Sequence, residues 1–140
     1  MAVLGIDIRK ISFEKIKAPT PQVEVDLTPR INELRLGELR TPTGKVNGIE
    51  VLFEYTVNYK PDIAKASIEG RVFYLPRNKG DVDKILDVWE SEKRVDPYLF
   101  AEAVNAITNE IMPTLLNLSK RLQLPYPIPI PRVNVGVKGE

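Results

Sequence analysis

The stretch "IEVLFEYTVNYKPDIAKASIEGRVFYL", residues 49–75, decides the fold. Its first part places an apolar residue at every second position, which is the pattern of a strand buried on one face. These residues are Ile49, Val51, Phe53, Tyr55, Val57 and Tyr59. "KPD" at 60–62 predicts a turn, and residues 63–75 alternate again. The stretch therefore predicts a long antiparallel hairpin.

Two segments upstream of the hairpin also predict extended structure. Residues 3–14 alternate up to Ile8 and then change phase to Ile11 and Phe13. A phase change of one residue inside a strand indicates a β-bulge. Residues 16–31 hold three prolines around "QVEVDL" and are interpreted as an extended crossover with the character of an edge segment.

A further strand and a turn separate this crossover from the hairpin. "INELRLGEL", residues 31–39, predicts the strand, with Gly37 marking a second phase change. "TPTGKVNG", residues 41–48, predicts a turn or exposed loop. Its single Gly-Lys pair lacks the spacing of a phosphate-binding loop.

Helical periodicity begins after Pro76. Asp81 is a candidate N-cap for a short helix with apolar residues at helical spacing, namely Val82, Ile85, Leu86 and Trp89. "DP" at 96–97 places an N-cap before a proline in the first helical position. One stripe of the next helix holds Phe100, Val104, Ile107, Ile111, Leu115, Leu118 and Leu122. Pro113 predicts either a kink or a division of this helix in two.

Further apolar residues widen the stripe on this long helix. They are Leu99, Ala103, Met112 and Leu116. A stripe of this width exceeds what one sheet face needs to cover. The surplus predicts a second packing partner, most simply another subunit, and we assign these four residues to an oligomer interface.

Composition bounds the class of protein. A chain of 140 residues predicts one domain, and 43% hydrophobic with 28% charged residues is an ordinary globular composition. The net charge of +1 comes from interspersed signs without a basic stripe, so we expect no nucleic-acid partner. No apolar run reaches the length of a membrane span, and the N-terminus lacks the layout of a signal peptide. We therefore expect a cytoplasmic protein without membrane insertion.

Cysteine and histidine are both absent from the sequence. Their absence excludes disulfides and thiolate metal sites, and it removes the commonest general base and the commonest zinc ligand. We expect no enzymatic activity, no catalytic residue, no metal and no cofactor. The lack of cysteine and the 12 prolines are also typical of proteins from thermophiles.

Two groups of side chains have both a functional and a structural interpretation. Glu24 and Asp26 share one strand face and could form an acid–base pair, but alternating strands usually carry such residues on their solvated side. Phe53, Tyr55 and Tyr59 could stack nucleic-acid bases. Without a basic groove around them, packing in the core is favoured.

The C-terminal stretch "LQLPYPIPIPRVNVG", residues 122–136, has prolines at 125, 127, 129 and 131. In an extended chain the N–H groups of alternate residues point to the same edge. These prolines therefore remove the donors from one edge only, so the segment could pair on its other side. The alternative is a polyproline II ribbon that docks without a ladder.

The order of these elements resembles SecB, the family of tetrameric export chaperones. The similarity is carried by "KISFEK" at 10–15, "VEVDL" at 23–27, "EAVNAITNEI" at 102–111 and "LQLPYPIPIPRVNV" at 122–135. The resemblance implies an α+β fold in which helices pack on one face of a four-stranded antiparallel sheet. It implies a single domain over 1–140, with strands at about 3–75, helices at about 81–122 and a proline-rich extended segment at 123–140.

The resemblance also implies a function. Members of the family assemble as dimers and tetramers and hold unfolded polypeptide clients in apolar grooves without ATP, in protein export or in toxin–antitoxin control. On this chain the expected peptide-binding residues are Ile16, Val23, Val25 and Leu27 on one groove wall and Tyr126, Ile128 and Ile130 on the other.

The chain departs from the family pattern at residues 77–96, where it inserts a charged short helix. Trp89 lies on this helix and is either a core residue or an interface anchor. The end "VKGE" lacks the extended tail that contacts the export motor, and the charge is neutral where the family is acidic. The alternative function is therefore a structural or adaptor subunit whose apolar surplus is buried against a dedicated partner.

Overall fold

The computed structural model describes residues 2–78 and 80–127. Its elements are β1 (Ala2–Lys15), β2 (Glu24–Thr41), β3 (Gly44–Lys60), β4 (Ala64–Leu75), α1 (Gly80–Glu92) and α2 (Pro97–Arg121). The strands form one antiparallel sheet in the order β1-β4-β3-β2, and the helices pack on one face of it. The predicted α+β class is confirmed. Of the described helices, neither combines the length and apolarity that crossing a membrane requires.

The predicted hairpin is the centre of the sheet. β3 pairs with β4 from Ile49, opposite Tyr74, to Tyr59, opposite Ala64. The alternating side chains of β3 are 0–3% exposed and belong to the hydrophobic core. The period-two pattern therefore identified both the strands and their buried face.

β1 pairs with β4 and contains the predicted irregularity. Its register shifts between Ile8 and Lys10, where the apolar pattern changes phase. The two strands come unusually close at Gly70. A Cβ atom at this position would collide with the carbonyl oxygen of Asp7. Glycine at this position allows β1 to lie against β4.

β2 differs from its prediction, since residues 24–41 form one continuous strand rather than a crossover followed by a strand. It pairs with β3 along its whole length. Pro29 is tolerated because an edge strand can lack an N–H on its free side without losing a ladder hydrogen bond. The register shift lies between Ile31 and Glu33, whereas Gly37 pairs regularly with Gly48.

The two helices pack against different parts of the sheet. α1 lies against β2 and β3, and α2 lies against β1 and β4. Asp96 caps α2 as predicted, with its Oδ2 accepting a hydrogen bond of 3.0 Å from the Leu99 N–H. α2 continues through Pro113 to Arg121, so the helix does not divide.

The buried stripe of α2 agrees only in part with the predicted one. Buried residues recur at every fourth position, namely Leu99, Ala103, Ile107, Ile111, Leu115 and Ser119. Ile107, Ile111 and Leu115 of the predicted stripe are buried, whereas Phe100, its first residue, is 38% exposed.

This difference changes the predicted interface. Leu99 and Ala103 are 0% exposed in the single chain and belong to its core, so they offer no surface to a second subunit. Met112 and Leu116 are half-buried and keep surface that a partner could contact.

We expect Gly70→Ala to destabilise the fold by about 2 kcal/mol or more, because its methyl group would press on the β1 backbone. Gly5→Ala is the matched control on β1, since nothing lies within 4 Å of a Cβ at that position. The free energies of unfolding follow from urea denaturation. Equal stability of the two variants would contradict the close approach of β1 and β4.

Candidate functional site

A row of apolar side chains on β2 is incompletely covered. Every second residue from Val25 to Ile31 points to the helix side, and each is half-buried. We call this row, Val25, Leu27, Pro29 and Ile31, the β2 strip. Its members pair with Tyr59, Val57, Tyr55 and Phe53, which are buried. The strip thus continues the apolar face of the core outward to the edge of the sheet.

The helices explain why the strip keeps accessible surface. Within the described residues, the backbone of α2 lies against β1 and β4 on the same face of the sheet, and its Thr108 and Ser119 hydroxyls reach those of Tyr55 and Tyr59 on β3. α1 lies beside the other half of β2, where Leu86 and Trp89 line a cleft with Leu34 and Leu36. The strip therefore lies beyond the residues that α1 covers.

The five predicted peptide-binding residues that the structure describes lie toward one end of the sheet. Val23 precedes the strip and packs, like Val25 and Leu27, against the core. Ile16 follows β1, is 54% exposed, and its N–H donates a hydrogen bond of 2.7 Å to the Ile63 carbonyl between β3 and β4. Tyr126 is 43% exposed.

Two residues of the predicted second groove wall, Ile128 and Ile130, lie outside the described residues. The described residues therefore include the whole predicted first wall and, of the predicted second wall, Tyr126.

A buried hydroxyl fixes the chain that leaves α2. The Tyr59 hydroxyl donates a hydrogen bond of 3.0 Å to the Pro125 carbonyl and lies 3.0 Å from Ser119 Oγ. Ser119 Oγ donates to the Leu115 carbonyl at 2.7 Å. Burial raises the pKa of the Tyr59 hydroxyl, and the hydrogen bond with Ser119 offsets part of this increase. The Tyr59 ring lies 6.0 Å, between ring centres, from that of Phe13 on β1, so the chain after α2 is held over the end of β3 on the side of β4 and β1.

The opposite face of the sheet carries a network of charged side chains, and we call it the polar face. Glu50 is contacted by two guanidinium groups, with Arg35 Nε at 2.9 Å and Arg71 Nη1 at 3.5 Å. Arg71 Nε also donates to Asp7 at 3.1 Å, so this network links all four strands. The contacts with Glu50 raise the pKa of Arg35.

The carboxylate pair considered above lies on this polar face. Asp26 forms an ion pair of 2.6 Å with Lys60, whose pKa it raises through the hydrogen bond and its charge. Glu24 is exposed opposite Lys60. This placement agrees with the solvated interpretation of the pair. In residues 2–78 and 80–127, no group of three or more acidic side chains could hold a metal ion.

Sequence reasoning missed a cleft between α1 and β2. Leu36 is 60% exposed and lines it together with Leu86 and Trp89. Trp89 is half-buried against the core, with the Lys93 ammonium 5.1 Å from its ring centre. The available sequence signal was Leu36, an apolar residue two positions after the buried Leu34 on the edge strand β2. Predicting the cleft from this residue also requires the position of α1.

Comparison with known proteins concerns the fold. No family model and no curated protein matches the chain. Among solved structures, the Mycobacterium tuberculosis SecB-like chaperone Rv1957, in complex with a ChAD peptide from the Rv1956 HigA1 antitoxin, matches with a TM-score of 0.51. The match covers 94% of this chain and 88% of that chain at 17% identity. The chain has a SecB-like fold.

We expect Tyr59→Phe to lower the free energy of unfolding by about 1–2 kcal/mol, because the Pro125 carbonyl and Ser119 lose a buried partner. Tyr98→Phe is the matched control, since Tyr98 is 78% exposed. Urea denaturation at neutral pH measures both variants. A Tyr59→Phe protein as stable as the control would contradict the role of this hydroxyl in fixing the chain after α2.

The raised pKa of Tyr59 also predicts a pH dependence. Above a pH of about 10 the unfolded chain releases the phenolic proton while the folded state retains it, so stability falls as the pH rises. We expect this loss to be smaller in Tyr59→Phe than in the parent and unchanged in Tyr98→Phe. Parallel stability–pH curves for the parent and Tyr59→Phe would show that burial does not perturb this group.

Proposed function

We propose that the protein is an ATP-independent chaperone, a holdase, that binds extended apolar polypeptide segments on the β2 strip. The observation that carries the proposal is the half-buried apolar row on β2, which the described helices leave partly open. A contiguous apolar surface that stays accessible is typical of an interaction site. This function requires neither a catalytic residue nor a cofactor.

The geometry of the strip suits an extended client. Side chains on one face of a strand repeat at every second residue, and so do those of an extended peptide laid beside it. The strip offers aliphatic contacts without a charge among its members, so it would accept apolar residues with little sequence preference. Retention would then depend on apolar surface removed from water.

The fold supports peptide clients. The M. tuberculosis neighbour is a SecB-like chaperone bound to a peptide of an antitoxin. We therefore infer that clients of this chain include an antitoxin or another partly unfolded protein, with export as the alternative pathway. The half-buried Met112 and Leu116 on α2 support assembly as a dimer or tetramer of identical chains.

A structural or adaptor subunit is the second candidate. It is favoured by exposed apolar residues away from the strip, such as Leu36 at 60% and Ile11 at 47%, which a dedicated partner could cover permanently. Dye binding to the purified assembly distinguishes the two functions. Strong dye binding that a client peptide reverses supports the chaperone function. Absence of dye binding supports the adaptor function.

We expect Leu27→Glu to weaken binding of an extended apolar peptide by tenfold or more, on the order of 1.4 kcal/mol, because it places a charge in the apolar strip. Thr28→Glu is the matched control, since this neighbour on the same strand is exposed on the polar face. Fluorescence anisotropy measures peptide affinity, and light scattering measures suppression of client aggregation. Circular dichroism checks that both variants are folded.

Val25→Thr provides a milder second variant, because it keeps the shape of the side chain and adds a hydroxyl group. We expect it to weaken peptide binding by a smaller factor than Leu27→Glu. Folded Leu27→Glu and Val25→Thr proteins that both suppress aggregation as well as Thr28→Glu would exclude the strip as the client site.

A further inference from the structure

We propose that a cavity between the two helices, over the end of β4, binds a primary ammonium group between the Tyr74 hydroxyl and the Glu102 carboxylate. The group belongs to a small alkylamine or to a lysine side chain of a partner. This inference goes beyond the proposed function, because Tyr74 pairs with Ile49, whereas Val25 of the β2 strip pairs with the opposite end of β3.

The cavity has the size and the walls of a small-molecule site. Its volume is about 590 Å³, within the range typical of ligand pockets. α1, α2 and the end of β4 contribute its lining. Pro76, Ile85 and the ring of Tyr98 supply apolar contacts, which suit the alkyl stem of an amine.

The Tyr74 hydroxyl is the observation that points to a ligand. Tyr74 is 3% exposed and lines the cavity. On the same face of the sheet, the hydroxyls of Tyr55 and Tyr59 contact Thr108 and Ser119, but that of Tyr74 contacts no group of the described residues. Those residues contain no enclosed side-chain oxygen without a partner, so this hydroxyl opens into the cavity. Buried tyrosine hydroxyls usually have a partner, and a ligand can supply it here.

Three half-buried carboxylates, those of Asp81, Asp96 and Glu102, line the same cavity. None belongs to an ion pair among the described residues. Asp81 and Asp96 lie at the N-termini of α1 and α2, where they offset the positive ends of the helix dipoles. Glu102 lies in the second turn of α2, beyond this effect, so its charge remains for a ligand.

The charges around Tyr74 favour a cation over an anion. Burial raises the pKa of Tyr74, and the charge of Glu102 is the next cause of this increase. Arg77 and Lys84 also line the cavity, but both are exposed and can direct their charges to water. An ammonium group can donate hydrogen bonds to the hydroxyl and to the carboxylate at once. In residues 2–78 and 80–127 no acidic cluster could hold a metal ion, which favours an organic cation.

The first test is isothermal titration calorimetry of the full-length protein with n-butylammonium chloride at low salt. We expect a dissociation constant of about 1 mM, and about tenfold weaker binding by Glu102→Gln, which keeps the shape of the side chain and removes its charge. Glu110→Gln is the matched control, because Glu110 is exposed on the same helix and outside the cavity. Equal affinity of the two variants would overturn the inference, as would equally tight binding of 1-butanol.

The second test removes the Tyr74 hydroxyl. Because this hydroxyl has no partner among the described residues, we expect Tyr74→Phe to be as stable as the parent in urea, unlike Tyr59→Phe. We expect it to bind butylammonium about fivefold more weakly than the parent does. Tyr126→Phe is the control, since Tyr126 is 43% exposed and does not line the cavity. Unchanged affinity of Tyr74→Phe would exclude the hydroxyl as a ligand-binding group and overturn the inference.

A third experiment distinguishes the sources of the ammonium group. A glycine–serine peptide with one central lysine that binds as tightly as butylammonium supports a partner's side chain, whereas binding of the amine alone supports a small amine. Binding of neither would overturn the inference. Leu27→Glu separates the inference from the proposed function, because we expect it to weaken apolar peptide binding and to leave butylammonium binding unchanged. Loss of butylammonium binding in folded Leu27→Glu protein, with Glu102→Gln unaffected, would place the amine on the β2 strip and overturn the inference.

Discussion

The apolar face of β3 is the constraint on which the rest of the structure depends. β3 pairs with a neighbour on both sides, and its alternating side chains from Ile49 to Tyr59 are almost completely buried. Leaving such a face in water would cost the hydrophobic stabilisation that folding requires. α2 covers the face from the β1 and β4 side, and α1 covers it near Leu34. The strip on β2 is what this arrangement leaves half covered.

The two faces of the sheet differ in what their side chains contact. On the polar face, Glu50 lies between Arg35 and Arg71, and Asp26 pairs with Lys60, so charges of opposite sign meet within the chain. On the helix face, the strip has apolar neighbours on one side and accessible surface on the other. An extended apolar segment complements the second surface. The site is therefore defined by incomplete burial rather than by a chemical group.

Sequence patterns predicted the features that depend on local spacing. The hairpin, the bulge after Ile8 and the cap at Asp96 each follow from a few neighbouring residues. The continuity of β2 through Pro29 was not predicted, because it depends on β3 supplying a partner on the other side. The α2 stripe was predicted correctly at Ile107, Ile111 and Leu115 but not in the first turns of the helix. Apolar residues at adjacent positions such as Leu99 and Phe100 fit two faces, and only the position of the sheet selects between them.

The candidate site, like the fold, was predicted in part from the sequence. Alternation placed Val25 and Leu27 on one face, and the structure puts both in the strip. Ile31 joins them only because the bulge follows it, and Leu36 is exposed because α1 packs beside it and not over it. Both facts depend on tertiary packing, which a pattern of spacing does not contain.

A methyl-resolved NMR titration of the full chain with an extended apolar peptide tests the central claim most directly. We predict that the methyl signals of Val25, Leu27 and Ile31 shift most and report one common dissociation constant. Unchanged signals from these three residues, with shifts at Leu36 beside Trp89 instead, would contradict the assignment of the β2 strip as the peptide site.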